Sequence, residues 1–289
     1  MAGLGGAVLL AAVGLAAGGG PAAADTGPNY VSLGDSYTAG PLIPDQTGHP
    51  ALCLRSTHNY PSLVAKSVGA ATFTDASCSG STTDDMTSAQ NLGISSNPPE
   101  FDSLKADTTL VTVGIGGNDI GFGSIILTCG SLSVTNPAGA PCEKKYTSGG
   151  TDQLQAKIDA TGPKIAAMLD GIHARSPHAR VIVVGYPRVL PASGKGCWPV
   201  VPIAAGDVPY LSGVEKSLNA MLEKRAHDGG ASYAVNFTAG HDLCQAPADK
   251  WVEGIIPTMP AAPVHPNANG MRATAGAVEQ AVSSTSSER

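Results

Sequence analysis

The stretch Tyr30-Val31-Ser32-Leu33-Gly34-Asp35-Ser36-Tyr37 decides the fold. A short run carrying Val31 and Leu33 stops at Gly34-Asp35-Ser36, which reads as a β-strand ending in a sharp turn that the glycine permits. In α/β proteins the chemistry gathers in the crevice at the carboxyl ends of the strands, so a serine on such a turn carries its hydroxyl into that crevice. Taken alone, Gly-Asp-Ser is also the composition of an ordinary turn. Its reading depends on what the rest of the chain brings beside it.

Four further segments read as strands: 72–75, the apolar and β-branched 109–114, 180–185, whose run Val181–Val184 is of the fully buried type a parallel sheet wants, and 232–236. Helical patterns fall between them. Asn59 is placed to cap a helix over 59–68, with Pro61 in its first turn. Leu154, Ile158, Ile165, Met168, Leu169 and Ile172 recur at helical spacing over 152–174, where Pro163 predicts a kink or break. Leu211, Val214, Leu218, Met221 and Leu222 mark another helix, closed by Gly229-Gly230, and 271–282 suits a terminal one. A weak helix is expected around Ser88. The stretch 120–150 shows no convincing periodicity and reads as a loop. Alternating strands and helices predict an α/β fold, a three-layer α/β/α sandwich around a central parallel sheet of about five strands. Right-handed crossovers then set all the strand ends on one edge, bringing together Ser36, Gly80, Asn118 and the region after Asn236.

The chain has 289 residues, 42% of them hydrophobic, and a net charge of -6. That length buries one substantial core, so 25–289 is expected to be a single domain with 283–289 as a disordered tail. The mild acidity and the lack of a Lys/Arg cluster argue against a nucleic-acid partner. Residues 1–24 are nearly all apolar or Gly and end in Ala22-Ala23-Ala24, which resembles a secretory signal peptide with its cleavage site. The positively charged first region of such a signal is missing, so the written start is expected to be truncated. A membrane anchor is the competing reading, but Gly18-Gly19-Gly20-Pro21 interrupts the run short of the ~20 residues a span needs. Export, with no stable membrane insertion, is the expectation.

Cys53, Cys78, Cys129, Cys142, Cys197 and Cys244 form no C-x-x-C pair, which argues against zinc or redox chemistry. In an exported chain an even number means disulfides, and six cysteines allow about fifteen pairings. The sequential one is preferred: Cys53 with Cys78, Cys129 with Cys142, Cys197 with Cys244. Each bridge would close a long loop and add roughly 3–4 kcal/mol. No metal-ligand cluster stands out, Asp84-Asp85 being a poor candidate, and no cofactor is expected.

Attack on an ester carbonyl needs a nucleophile, a base for its proton, and donors for the oxyanion. Ser36 is the candidate nucleophile. Among seven histidines, His173, His178 and His227 fall at helix ends and His49, His58 and His241 in loops, whereas His265 follows the last strand's loop and just precedes the terminal helix. The Ser36 and Gly80 N–H groups and the Asn118 amide could point at one oxygen. Singly, Gly80 is also a turn glycine and Asn118 a loop asparagine.

Gly34-Asp35-Ser36, Gly80 after Cys78-Ser79, Gly116-Gly117-Asn118-Asp119 and His265-Pro266, in this order, resemble the four blocks of the GDSL/SGNH hydrolases. The resemblance spans nearly all of the chain after the leader, and its disulfide and export features look most like the secreted actinobacterial lipase/esterase branch. It implies a flavodoxin-like sandwich and a serine hydrolase acting through an acyl-enzyme. In it Ser36 is the nucleophile, His265 the general base, and Ser36, Gly80 and Asn118 form the oxyanion hole. Two departures stand out. Tyr37 replaces the Leu of the first block, which is expected to alter packing only. Ala262 stands where the family's Asp would lie, so the expected site is a Ser36–His265 dyad oriented by the Ala262 main-chain carbonyl, as in some members of that branch.

Ile120, Phe122, Ile125, Ile126 and Leu127, with Val200, Val201, Ile203, Ile255 and Ile256, could line an acyl groove or simply pack loops. With no large amphipathic lid helix between Ser36 and His265, interfacial activation is not expected. Three functions fit: a secreted, monomeric hydrolase of lipid carboxylic esters (a lipase or esterase); the same machinery on phospholipids (a phospholipase A1) or acetylated carbohydrate; or an inactive binding protein that kept the fold.

Overall fold

A computed structural model describes residues 1–3, 27–192 and 194–284. The expected signal sequence and its cleavage site lie almost wholly outside the described residues. The sheet sets β1 (Asn29–Gly34) between the edge strand β2 (Thr72–Asp75) and the central strand β3 (Leu110–Gly114), with β4 (Arg180–Val184) and β5 (Ser232–Ala234) following beyond β3. Every pairing is parallel and the spatial order is β2-β1-β3-β4-β5. The chain leaves β1 toward β2 and returns past it to β3, so the order reverses between β1 and β3. A crevice opens outside the strand ends at that switch point.

Strand alternation sorts the apolar residues into two cores. Val31, Leu33, Val111, Val113, Val181 and Val183 pack on one face; Tyr30, Leu110, Ile182 and Val184 pack on the other. The first face is covered by the helices α5 (Gln153–Arg175) and α6 (Asp207–Asp228), through Ile158, Ile165, Leu169, Ile172, Leu218 and Leu222. The second is covered by α2 (Tyr60–Ser67) and α7 (Ala268–Ser284), through Tyr60, Val64, Met271 and Val278. The predicted sandwich is the observed fold. Asn59 caps α2 by accepting from Ser62 N–H at 3.1 Å.

Several local expectations change. Residues 120–150 are not a loop: they hold α3 (Phe122–Thr135) and α4 (Pro141–Thr147). Pro163 does not end α5, which is assigned as one helix through it. Near Ser88 there is no helix; a 3₁₀ turn spans Thr83–Met86 instead, boxed by Thr82 and Asp85. Ser283 and Ser284 close α7 and do not begin a tail, and 285–289 lie outside the described residues. The disulfides are the sequential ones, Cys53–Cys78, Cys129–Cys142 and Cys197–Cys244.

The last rung between β1 and β3 pairs Gly34 with Gly114. Gly34 has φ +143°, and a Cβ there would come within 2.4 Å of both Gly114 O and Thr38 Oγ1. Only glycine fits this rung, and the contact brings the turn after β1 directly against the turn after β3.

Candidate active site

Ser36 opens a single helical turn, α1 (Ser36–Ala39), directly after β1. Asp35 caps it, its Oδ1 accepting from Tyr37 N–H at 2.9 Å. Asp35 N–H in turn donates to Gly114 O at 3.0 Å. The Asp35 carboxylate's other oxygen accepts from Tyr186 Oη at 2.5 Å, and Tyr186 Oη accepts from Gly117 N–H at 2.8 Å. Asp35 and Tyr186 thus lock the Ser36 turn to the Gly116-Gly117-Asn118-Asp119 turn. Burial pushes the Asp35 carboxyl up to about 7, against the hydrogen bonds that favour its charged form.

Glu100 makes a second tie. Its buried carboxyl accepts from Gly34 N–H at 2.7 Å and from Ser81 Oγ at 2.7 Å, joining the end of β1 to the turn that carries Gly80. Burial raises its pKa well above the usual carboxylate range, with these two bonds opposing. Gly80 has φ +83° in the turn closed by Ser81 N–H to Cys78 O at 3.0 Å. Asn118 Nδ2 donates one hydrogen to Ser81 O at 2.8 Å, leaving the other free. Neither Ser36 N–H nor Gly80 N–H has an acceptor among the described residues.

His265 reaches this cluster from the far end of the chain. Its Nε2 lies 2.8 Å from Ser36 Oγ, and its Nδ1 lies 2.8 Å from Pro263 O. A carbonyl only accepts, so Nδ1 carries the proton and Nε2 presents a lone pair to the serine hydroxyl. The expected orienting carbonyl, Ala262, is therefore wrong by one residue. Ala262 O is taken by the N–H of His265 itself at 3.2 Å, closing a turn over Ala262–His265 with Pro263 and Val264 at its centre. Closing that turn leaves the central carbonyl, Pro263 O, to face the imidazole. The nearby buried Asp242 does not orient it either, spending its oxygens on Cys244 N–H and the Gln245 amide. Burial lowers the His265 pKa from its ordinary value, opposed by the Pro263 bond.

Val264 sits in that turn at φ +59°, a conformation a β-branched residue adopts only when held there. Tyr37 does much of the holding. Its hydroxyl donates to Val264 O at 2.6 Å, and its ring lies 5.1 Å from the His265 ring, centre to centre. The substitution in the first block was expected to affect packing alone; it supplies instead a side-chain tether for the histidine's turn. A tyrosine one residue after the candidate nucleophile, with no other predicted partner, was the available signal.

Beside Ser36 and His265 opens a cavity of about 620 Å³. Gly80 and Asn118 line it, together with Phe122, Ile125, Ile126 and Leu127 of α3, Leu211, Val214 and Leu218 of α6, and Ile255. A second apolar chamber of about 240 Å³, lined by Val201, Ile203 and Leu243, shares Ile126, Leu127, Leu190, Ile255 and Val264 with the first. Of the ten apolar groove candidates, Val200 and Ile256 line neither. Among the described residues no cluster of His, Cys, Asp or Glu could hold a metal ion, and no helix is long and apolar enough to cross a membrane.

A parallel sheet with a hydroxyl–imidazole pair at its switch point, opening on an apolar cavity, defines a carboxylic ester hydrolase. The model of the GDSL-like lipase/acylhydrolase family matches residues 32–273, and this chain belongs to that family. Lipase 2 of Streptomyces coelicolor is 41% identical over 258 residues, covering 87% of this chain and 85% of the relative. The phospholipase A1 of Streptomyces albidoflavus NA297 superposes with a TM-score of 0.72 at 28% identity, covering 88% of this chain and 99% of that one. The extracellular lipase of Streptomyces rimosus gives 0.70 at 27% identity, with the same coverage of 88% and 99%.

Proposed function

We propose that this chain is an exported serine hydrolase that cleaves carboxylic esters of lipids through an acyl-enzyme. The observation that carries the reading is the 2.8 Å contact between Ser36 Oγ and His265 Nε2 beside an apolar cavity. In the proposed reaction Ser36 Oγ attacks the ester carbonyl carbon while its proton passes to His265 Nε2. The carbonyl oxygen becomes an oxyanion, met by Ser36 N–H, Gly80 N–H and the free hydrogen of Asn118 Nδ2. The intermediate collapses, His265 returns the proton to the departing alkoxide oxygen, and the alcohol leaves. Water then repeats the sequence, attacking the acyl-enzyme with His265 as base and releasing the fatty acid and Ser36. The Pro263 carbonyl fixes the tautomer but brings no full negative charge to the imidazolium, which is the difference from a triad.

A long acyl chain suits the apolar walls, whereas an acetyl group leaves most of 620 Å³ unfilled. Phospholipase A1 activity is the second reading, favoured by the likeness to an enzyme of that name. The test is labelling by a fluorophosphonate followed by an acyl-length series on soluble and dispersed esters. Label on Ser36 with turnover rising toward medium or long chains is expected. An unlabelled Ser36 in folded protein sinks the hydrolase reading, and a preference for acetyl esters sinks the lipid one.

A further inference from the structure

Around the cavity mouth the chain carries no charge for long stretches. The segments 36–44, 120–142, 196–206 and 254–264 contain no Asp, Glu, Lys, Arg or His, in a protein whose net charge is -6. All four contribute lining residues to the two chambers. Large apolar side chains stand outward among them, beside uncharged Ser and Thr: Leu127 is 76% exposed, Val134 67%, Val200 69% and Ile256 82%.

These residues belong to one face. Leu127 and Val134 lie seven residues apart on α3, two turns along one stripe, with the chamber-lining Gly130 and Ser131 between them. A side-chain carbon at Gly130 would lie 3.6 Å from Pro202 O, so α3 abuts the segment carrying Val200. A carbon at Gly254 would lie 3.9 Å from both Val201 Cγ2 and Ile256 O, so that segment abuts the one carrying Ile255 and Ile256. Exposed apolar surface collected in this way marks a contact site, not the usual scatter.

We propose that this face seats the enzyme on the surface of a lipid layer without net charge, with Val134, Val200 and Ile256 entering the headgroup–acyl boundary and the cavity mouth facing the layer. The inference rests on the lipid-ester reading. Two features select that occupant. The face is continuous with the walls that would take the acyl chain, so a docked layer delivers its chains to the mouth without passing through water. No lysine or arginine stands in the four segments to meet an anionic headgroup, and the protein's own net charge repels one. Attraction is left to apolar area, which is insensitive to salt.

The test uses full-length Ser36→Ala protein, so that the vesicles survive, and co-sedimentation with phosphatidylcholine vesicles with and without added phosphatidylserine. Binding to phosphatidylcholine alone, unchanged by salt, is expected. The double variant Val200→Asp/Ile256→Asp should weaken it on the order of tenfold or more. In the active background the same double variant should leave turnover of a soluble short-chain ester and the melting temperature unchanged while slowing hydrolysis of dispersed lipid. The milder Val200→Ser/Ile256→Ser pair should fall between. Equal vesicle binding by parent and variants overturns the proposal. So does binding that needs phosphatidylserine and fades with salt, or a parent that is a dimer in solution and becomes a monomer in the variants, since a second copy would then cover the face. Loss of the hydrolase reading would register separately, as an unlabelled Ser36 in a protein that still binds vesicles.

Discussion

The two partners of the proposed catalytic pair reach each other from opposite kinds of structure. Ser36 is set first by main chain: a ladder rung between Gly34 and Gly114, a bond from Asp35 N–H to Gly114 O, and a helical turn begun at once. The Asp35, Tyr186 and Glu100 side chains tie that turn to its neighbours. His265 comes from residues 235–267, which hold neither a helix nor a paired strand beyond one isolated bridge, Val252 to Pro266. Its main-chain bonds are scattered, such as Ala262 N–H to Pro41 O at 2.9 Å and Glu253 N–H to His265 O at 3.0 Å, and side chains add to them. Tyr37 tethers Val264 O, and the buried Glu253 accepts from Thr258 N–H at 2.6 Å and from the Asn267 amide at 2.7 Å. Ser36 therefore shares the stability of the sheet, while His265 depends on scattered, separable bonds. Damage near Ser36 should unfold, and damage near His265 should misplace.

The largest effect does not distinguish the two ends. Ser36→Ala and His265→Ala should each lower kcat by about 10⁴–10⁶-fold, and the double variant should lose little more, because the pair works as a unit. Single-turnover kinetics on a chromogenic ester would show it, and additive losses would contradict it. Gly34→Ala is the next test, and it should break the fold along with the rate. Its Cβ would meet backbone at 2.4 Å, so a loss of about 3 kcal/mol in thermal or denaturant unfolding is expected. If the melting curve is unmoved, the main-chain account of Ser36 is wrong.

Tyr37→Phe tests the opposite side. Removing one hydroxyl leaves Val264 O unpaired and should reduce kcat about tenfold with KM nearly constant. A matching collapse of stability would mean the tether is only part of the core. The smallest effect is in the pH profile. His265 must be neutral to accept the serine proton, and burial lowers its pKa, so the acid limb of kcat/KM should fall below pH 6.5. A limb at or above that value would place the imidazole in a wetter or more acidic setting than its surroundings suggest.

The same division explains what could be read without coordinates. The sheet was legible because strands such as 109–114 and 180–185 announce themselves by apolar and β-branched runs, and parallel crossovers force their ends together. Ser36, Gly80 and Asn118 follow from that geometry. The histidine's partner did not, because which carbonyl faces Nδ1 depends on a turn that puts a valine at positive φ, a choice no local propensity favours. α3 was missed for a different reason. It is apolar toward the core at Ile125, but its exposed positions mix Leu127 and Val134 with Ser124, Ser131 and Thr135 and carry no charge. The contrast between faces that makes a helix periodic is therefore weak. The weak period was itself the trace of a helix that lines a cavity on one side and exposes uncharged, partly apolar residues on the other.

Each of the three cystine bridges has one half beside a cavity wall: Cys53 next to Leu54, Cys129 next to Gly130, Cys244 next to Leu243. None crosses the central sheet. Production in a thiol-rich cytosol would thus leave the scaffold assembled but its rim slack, giving soluble material of poor specific activity. Dithiothreitol should accordingly reduce turnover before it reduces far-ultraviolet ellipticity, and simultaneous loss of both would show that the bridges hold up the scaffold as well.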